Sequence, residues 1–260
     1  MIRRLVPFAV ACAAALTFAA PAAAITTNGQ PDNGEHPYVG AMLRSADAAG
    51  IRCSGTMLSP TVFLTAAHCT AGLLAAGQTA AWVTLDEHYV RGQSTVHRGT
   101  MHQDPAYPGN SHDSHDIAVI VLDQPVQLAR YGALPRAGQL DQMAAKNGLK
   151  NQKFDVVGYG TEEADREPGG HVHDGSGSRE KAVASFNALN DTWLRLSQND
   201  ATGDSGACYG DSGGPNFFAG TNVVAGTTIT GDVPCYATNV AYRMDTPSAR
   251  AFLGRFVALP

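Results

Sequence analysis

The chain has 260 residues, of which 44% are hydrophobic and 16% are charged, and its formal net charge is −5 at pH 7. A chain of this length and composition can bury a substantial core in one large or two small domains, which excludes a disordered protein. The mild excess of acidic residues provides no basic surface for nucleic acid, so we expect no nucleic-acid partner.

The first 24 residues have the composition of a secretory signal peptide. Two arginines precede an apolar run over residues 5–20, and the small residues Ala22-Ala23-Ala24 suit a cleavage site. Cleavage there would make Ile25 the first mature residue. A membrane anchor is the alternative, but the run is short and ends in Pro21. We therefore expect a secreted, extracellular protein that has no membrane contact after cleavage.

The cysteine count agrees with export. Of the five cysteines, Cys12 lies in the signal region, which leaves the even set Cys53, Cys69, Cys208 and Cys235. In an oxidising compartment these four can form two disulfides. A metal site is the alternative, but no two of them form a Cys-x-x-Cys pair and no histidine stands at zinc-finger spacing. We expect no metal and no cofactor.

Short β-type runs separated by turn residues fill most of the mature chain, a pattern typical of an all-β barrel or sandwich. The first set comprises residues 38–43, 55–58, 62–65, 81–85 and 117–122. The second set comprises residues 154–157, 182–186, 193–196, 223–230 and 240–244. Between the sets, residues 124–153 contain two prolines and several glycines and are the candidate crossing between domains. We expect a first domain over 25–137 and a second over 138–260.

Two segments differ from this pattern. Residues 161–180 carry charges, glycines and two histidines with almost no apolar residue, which predicts a solvated, mobile loop. Near the C-terminus, Thr246 and Pro247 suit the start of a helix. The apolar residues at helical spacing that follow are Ala249, Phe252, Leu253 and Phe256. This predicts a helix over 247–257 that docks on the second β-domain.

The segment Gly210-Asp211-Ser212-Gly213-Gly214-Pro215 places a serine among glycines. Glycine contributes little packing and costs backbone entropy on folding, so this segment needs an open backbone. A nucleophilic Ser212 would need it, because its hydroxyl must be exposed while the N–H groups of Gly210 and Ser212 form an oxyanion hole. A glycine-rich turn is the alternative.

A serine nucleophile requires a base, and the base requires an orienting partner. His68 follows a β-type run and precedes Cys69, so a disulfide could fix its backbone. Asp116 opens an apolar run, where a buried carboxylate must accept hydrogen bonds, and a histidine Nδ1–H is one such donor. The alternatives are a packed or exposed histidine and an acid that ends a loop.

Together, these segments resemble the catalytic blocks of the trypsin/chymotrypsin-like secreted serine proteases. The blocks are Thr65-Ala66-Ala67-His68-Cys69, Asp116-Ile117-Ala118-Val119 and the segment around Ser212, in that order. The resemblance covers nearly the whole mature chain. It implies an all-β fold of two packed six-stranded Greek-key β-barrels, with the active site between them and a C-terminal α-helix.

The resemblance also implies an activity. His68, Asp116 and Ser212 would hydrolyse peptide bonds through an acyl-enzyme intermediate, in a monomer that acts on protein or peptide substrates. The implied disulfides are Cys53–Cys69 beside the histidine and Cys208–Cys235 between the nucleophile loop and the pocket wall. The alternatives are a serine esterase and a non-catalytic binding protein on a protease scaffold.

Two finer expectations follow from the resemblance. After cleavage, the Ile25 ammonium would insert beside Asp211, although Ile25-Thr26-Thr27-Asn28-Gly29 departs from the family's Ile-Val-Gly-Gly. The specificity pocket would have Gly206 at its floor and Gly231 in an open wall. Because no acid at the floor neutralises a buried cation, we expect no preference for Lys or Arg. Val240 would narrow the pocket and favour small or medium apolar residues before the scissile bond.

Overall fold

A computed structural model describes residues 29–161, 177–233 and 235–260, and within these ranges the chain is mostly β-sheet. The strands are β1 (Gln30–Pro31), β2 (Val39–Leu43), β3 (Cys53–Met57), β4 (Val62–Thr65), β5 (Ala80–Thr84), β6 (His97–Gln103), β7 (Ala118–Leu122), β8 (Lys153–Gly158), β9 (Glu180–Leu189), β10 (Trp193–Ser197), β11 (Pro215–Phe218), β12 (Val224–Gly231) and β13 (Thr238–Arg243). The helices are α1 (Ala67–Ala75), α2 (Gln139–Ala145) and α3 (Pro247–Leu253), with a short 3-10 helix at Asp200–Thr202.

The first barrel closes from six antiparallel strands in the order β2-β3-β4-β7-β6-β5. Its interior is filled by fully buried side chains such as Met42, Phe63 and Ile120. Gly55 on β3 allows this packing, because a Cβ there would lie 2.3 Å from the Leu64 carbonyl oxygen. The first barrel is therefore a packed core and not a pore.

The second barrel closes in the order β8-β9-β10-β13-β12-β11, with β11 pairing back to β8. The predicted pair of six-stranded antiparallel barrels is thus confirmed. β1 pairs antiparallel with β9 of the second barrel, where Gln30 lies opposite Lys181. The first described strand of the chain therefore lies on the second barrel, whereas the sequence placed everything from residue 25 in the first domain.

Several elements escaped the sequence patterns. β6 carries mostly polar residues, and β11 is short and starts at a proline, so neither has a clear strand pattern. α1 starts after Ala66, which provides no side-chain cap, and α2 lies inside the predicted crossing between domains. The two helices lack strong start signals and the two strands lack an alternating apolar pattern, so local sequence patterns do not identify these elements.

The C-terminal helix is shorter than predicted and packs differently. Thr246 caps it as expected, accepting a hydrogen bond from the Ala249 N–H, but the helix ends at Leu253. Its buried residues join the core cluster that holds most of the first-barrel interior. Beyond the helix, the Phe256 ring lies 5.3 Å from the His102 ring of β6. The C-terminal segment thus contacts the first barrel and not the second barrel alone.

Most of the predicted polar loop over 161–180 lies outside the described residues. At its C-terminal end, Arg179 is buried and forms an ion pair of 2.8 Å with buried Asp32. Arg179 also donates to the Val39 carbonyl and to the Tyr159 hydroxyl. Burial alone would raise the pKa of Asp32, but hydrogen bonds from His36 and Arg179 outweigh it and lower that pKa to about 2. This charge cluster ties the N-terminal segment to both barrels.

We expect Asp32→Asn to destabilise the protein by about 3 kcal/mol at pH 7, because it deprives the buried Arg179 guanidinium of its nearest carboxylate. The pKa of Asp32 is lowered in the folded state, so its contribution is present above pH 4 and is lost as the pH falls toward 2. Urea denaturation at pH 7 and at pH 3 measures both effects. Asp123→Asn is the control, because it breaks the exposed ion pair with Arg98. It should lower the free energy of unfolding by under about 1 kcal/mol. Equal losses of stability in the two variants would contradict a stabilising role for the buried Asp32–Arg179 pair.

Candidate active site

His68 and Asp116 meet at one end of the first barrel. Thr65 at the end of β4 pairs with Ala118 at the start of β7, so the residues just outside these two positions are neighbours. The His68 N–H donates to Asp116 Oδ1 over 2.9 Å, and His68 Nδ1 lies 2.9 Å from Asp116 Oδ2. Asp116 therefore holds both the His68 backbone, through its N–H, and the imidazole ring, through Nδ1. A proton on Nδ1 leaves Nε2 as the acceptor that a general base needs.

Ser212 lies in a turn that only glycines on either side allow. Gly210 and Gly213 have φ angles of 98° and 79°. A Cβ on Gly213 would lie 2.1 Å from the Thr65 hydroxyl oxygen. The turn thus packs against the first barrel next to β4, the strand that leads to His68. The glycines that suggested a nucleophile from the sequence permit this close approach.

Ser54 on β3 holds the turn in place from the first barrel. Its N–H donates to the Ser212 carbonyl over 2.9 Å, and its hydroxyl donates to the Gly210 carbonyl over 3.0 Å. The predicted Cys53–Cys69 disulfide is present beside these contacts. Cys69 Sγ lies 3.8 Å from the Ser212 carbonyl oxygen, and Cys69 directly follows His68. The disulfide is therefore flanked by both His68 and the Ser212 turn.

The Ser212 hydroxyl has no hydrogen-bond partner among the described residues. His68 Nε2 lies 3.6 Å from Cys69 Sγ. Catalytic hydrogen bonds are often long or unformed before substrate binds. His68 Nε2 and the Ser212 carbonyl thus both lie next to Cys69 Sγ, and no hydrogen bond joins His68 to the Ser212 hydroxyl among the described residues.

The backbone amides of the turn fall into two groups. The N–H groups of Asp211, Gly213 and Gly214 each donate to a carbonyl oxygen. Within the described ranges, those of Gly210 and Ser212 donate to no protein acceptor. These two are the donors that the sequence assigned to an oxyanion hole.

Asp211 is a buried carboxylate behind the turn. It accepts N–H bonds of 2.8 Å from Gly160 and 2.9 Å from Cys208. Burial raises its pKa to about 7, and the nearby Glu180 charge adds to the rise while the two N–H bonds oppose it. Its predicted partner, Ile25, lies outside the described residues.

A cleft of about 230 Å³ opens beside Ser212. Its lining residues are Ala207, Cys208, Tyr209, Ser212, Thr228, Ile229, Thr230, Gly231, Asp232, Val233 and Cys235. The predicted Cys208–Cys235 disulfide is present in its wall. Gly231 is among the lining residues, and Gly206 is buried directly before the lining residue Ala207.

Val240 is absent from the cleft lining. It pairs with Thr230 across the β12–β13 ladder, while Asn239 pairs with Gly231. Successive side chains on a strand point to opposite faces, so Val240 and Asn239 cannot both face the cleft base. The geometry gives no support to the prediction that Val240 narrows the pocket.

The sequence missed a contact between the Asp116 segment and the second barrel. Asp113 accepts a bond of 2.7 Å from the Tyr242 hydroxyl on β13, and the His112 carbonyl accepts one of 2.8 Å from the Thr192 hydroxyl. His115, next to Asp116, lies between the carboxylates of Asp104 and Asp113, at 3.1 and 3.7 Å. Only adjacency to Asp116 could have indicated these residues, because their partners are distant in sequence.

We expect Tyr242→Phe to lower the free energy of unfolding by about 1.5–3 kcal/mol, since a hydrogen bond to a charged group is lost at the barrel interface. Chemical denaturation measures this loss. Tyr89→Phe is the matched control, because the Tyr89 hydroxyl donates to the neutral Ala48 carbonyl, and it should cost about 1 kcal/mol or less. A smaller loss for Tyr242→Phe than for the control would show that Asp113 does not depend on this donor.

Two further observations limit other readings of the site. Cys53, Cys69 and His68 form a group of possible metal ligands in the described chain, but the two sulfurs are bonded to each other and are not thiolates.

Across the described ranges, no helix has both the length and the hydrophobicity to cross a membrane.

Comparison with known proteins agrees with this geometry. The family model described as Trypsin matches residues 25–252. Among solved structures, the chain is similar to neuropsin, a serine protease expressed in the limbic system of mouse brain, with a TM-score of 0.63 and 20% sequence identity. The match covers 88% of this chain and 98% of neuropsin. The chain therefore belongs to the trypsin family of serine proteases.

Proposed function

We propose that the chain is a secreted serine endopeptidase that cleaves peptide bonds by acyl transfer to Ser212. The observation that carries this proposal is the pair of hydrogen bonds between His68 and Asp116. His68 and the Ser212 turn both lie next to the Cys53–Cys69 disulfide. Two disulfides support an oxidising, extracellular location. We further propose that the enzyme acts as a monomer and requires no cofactor.

The mechanism follows from the positions of the donors. Ser212 Oγ attacks the substrate carbonyl carbon while His68 Nε2 accepts its proton, and Asp116 stabilises the resulting imidazolium. The free N–H groups of Gly210 and Ser212 stabilise the oxyanion, by about 3 kcal/mol per donor in comparable sites. His68 then protonates the leaving amine, which departs from the acyl-enzyme. Water, deprotonated by His68, attacks the ester and releases the acid and free Ser212.

We expect Ser212→Ala to reduce kcat by several orders of magnitude and to abolish covalent labelling by a serine-directed phosphonate, because the nucleophile is lost. Casein hydrolysis and phosphonate labelling measure both results. Ser45→Ala, which removes an exposed hydroxyl that donates to Asp47, is the control and should leave both unchanged. Continued stoichiometric labelling of Ser212→Ala would exclude Ser212 as the nucleophile. Hydrolysis of activated esters without casein digestion would favour the esterase alternative, and no labelling of the wild type would favour a binding protein.

We also propose that the Ile25 ammonium, released by cleavage after Ala24, pairs with Asp211. A carboxylate this buried is costly unless a cation compensates it. β1 supports the route, because Pro31 pairs with Glu180, and the Glu180 charge acts on Asp211. The first described strand thus lies beside Glu180, whose charge acts on the buried acid.

A chain that begins at Ile25 should be at least about 100-fold more active than one that carries an extra residue before it, since one partner of a buried ion pair is lost. A carboxylate partner raises the pKa of an ammonium, so activity should be present at neutral pH and be lost as the pH rises above about 8. Defined N-termini and pH profiles of kcat/KM measure both effects. A chain with Val at position 25 is the control and should remain active. Equal activity of the extended chain would exclude the pairing.

The cleft supports the proposal that the enzyme does not prefer Lys or Arg. Gly206 contributes no charge beneath the cleft, and the one acid in its lining, Asp232, accepts backbone N–H bonds from Tyr236, Ala237 and Thr238. The carboxylate is therefore engaged by its own loop. The proposed preference for small or medium apolar residues depended on Val240, which lies outside the cleft lining.

A further inference from the structure

His115 directly precedes Asp116 and has a strained backbone. Its φ angle is 49°, in the left-handed region that residues other than glycine rarely adopt. The Ile117 N–H donates to the His115 carbonyl over 2.8 Å, so a tight three-residue turn is centred on Asp116. The orientation of the Asp116 carboxylate therefore depends on the conformation of His115.

Two carboxylates hold His115 in this conformation. Its Nδ1 lies 3.1 Å from Asp104 Oδ2, and because a carboxylate only accepts, Nδ1 is the donor. Its Nε2 lies 3.7 Å from Asp113 Oδ2, and its backbone N–H donates to Asp113 Oδ1 over 3.0 Å. A strained backbone persists only where the surrounding contacts hold it, and these three contacts have that effect.

The two carboxylates are themselves anchored, one on each barrel. Asp104 directly follows β6, is 6% exposed, and donates its backbone N–H to the Ile117 carbonyl over 3.0 Å. Asp113 accepts the bond of 2.7 Å from the Tyr242 hydroxyl on β13. His115 is thus bonded to the first barrel through Asp104 and to the second barrel through Asp113.

We propose that His115 is a positioning residue that fixes Asp116 and, through it, the catalytic base His68. This inference rests on the proposed endopeptidase function. Asp116 accepts bonds from both the backbone and the ring of His68, so a change in its orientation would displace the base. Such a displacement slows the chemical step, because the rate depends steeply on the geometry of the reacting groups. His115 is not among the residues that line the cleft beside Ser212, so its loss should leave substrate binding intact.

The decisive comparison is between His115→Gly and His115→Asn. Both replacements tolerate a left-handed backbone, but only asparagine keeps an N–H donor on the side-chain carbon that carries Nδ1 in histidine. We expect His115→Gly to lower kcat on a peptide substrate about 10- to 100-fold, with KM within about twofold of the wild type. His115→Asn should retain most of the wild-type kcat. His112→Ala removes an exposed imidazole from the same loop and is the control, with kcat unchanged.

Two further measurements separate positioning from a general structural role. The 1H NMR signal of the proton between His68 Nδ1 and Asp116 reports that hydrogen bond directly, and it should broaden or disappear in His115→Gly and persist in His115→Asn. Asp104→Asn keeps the oxygen that accepts from the Ala106 N–H and places an N–H donor opposite His115 Nδ1, so it should also lower kcat. The double variant of Asp104→Asn and His115→Gly should lose no more activity than His115→Gly alone, because both changes break one contact.

The outcomes separate this inference from the function on which it rests. An unchanged kcat in His115→Gly, an equal loss of kcat in His115→Asn, or a rise in KM that accounts for the loss would each overturn the positioning role and leave the protease assignment intact. Failure of His115→Gly to fold, together with full activity of Asp104→Asn, would also overturn it. A wild-type enzyme that cleaves no peptide and is not labelled by the phosphonate would overturn the endopeptidase function and this inference with it.

Discussion

The two hydrogen bonds from Ser54 to the Ser212 turn, one from its backbone N–H and one from its hydroxyl, are the constraint on which the candidate site depends. They join a strand of the first barrel to a loop of the second, beside the disulfide that fixes the residue after His68. Because His68 and Ser212 belong to different barrels, their spacing depends on contacts between the barrels. The bonds of Tyr242 and Thr192 to the segment before Asp116 constrain the opposite side of the same interface.

Buried charge is distributed unequally around this interface. Arg179 and Asp32 compensate each other and hold the N-terminal segment against both barrels. Asp211 has only backbone N–H donors among the described residues, and burial shifts its pKa toward neutrality. An uncompensated carboxylate next to the nucleophile turn makes the turn sensitive to a cation delivered there. Structural stability and the proposed activation thus use the same chemistry at two positions.

The cleft combines apolar walls with one carboxylate, Asp232, which accepts N–H bonds from its own loop. Aliphatic and disulfide groups line much of the rest, and Gln198 Oε1 occupies the space that a side chain at position 206 would take. The glycine at position 206 contributes no charge, and it leaves room for the amide of Gln198, the residue that follows β10.

In the sequence by itself, short β-type runs predicted an all-β fold, cysteine parity predicted two disulfides, and a glycine-flanked serine indicated a candidate nucleophile, because these are local features. The two-barrel architecture and the pairings Cys53–Cys69 and Cys208–Cys235 followed from the family resemblance. The sequence also determined the cap at Thr246, since a cap depends on a few adjacent residues. It did not reveal β6, α1 or α2, whose local signals are weak and whose formation depends on neighbouring elements. Only the tertiary structure shows that Val240 is absent from the cleft lining, that Asp113 contacts β13, and that Gln198 Oε1 fills the space beside Gly206. These facts depend on strand register and on which face each side chain occupies, and a shift of one residue reverses that face.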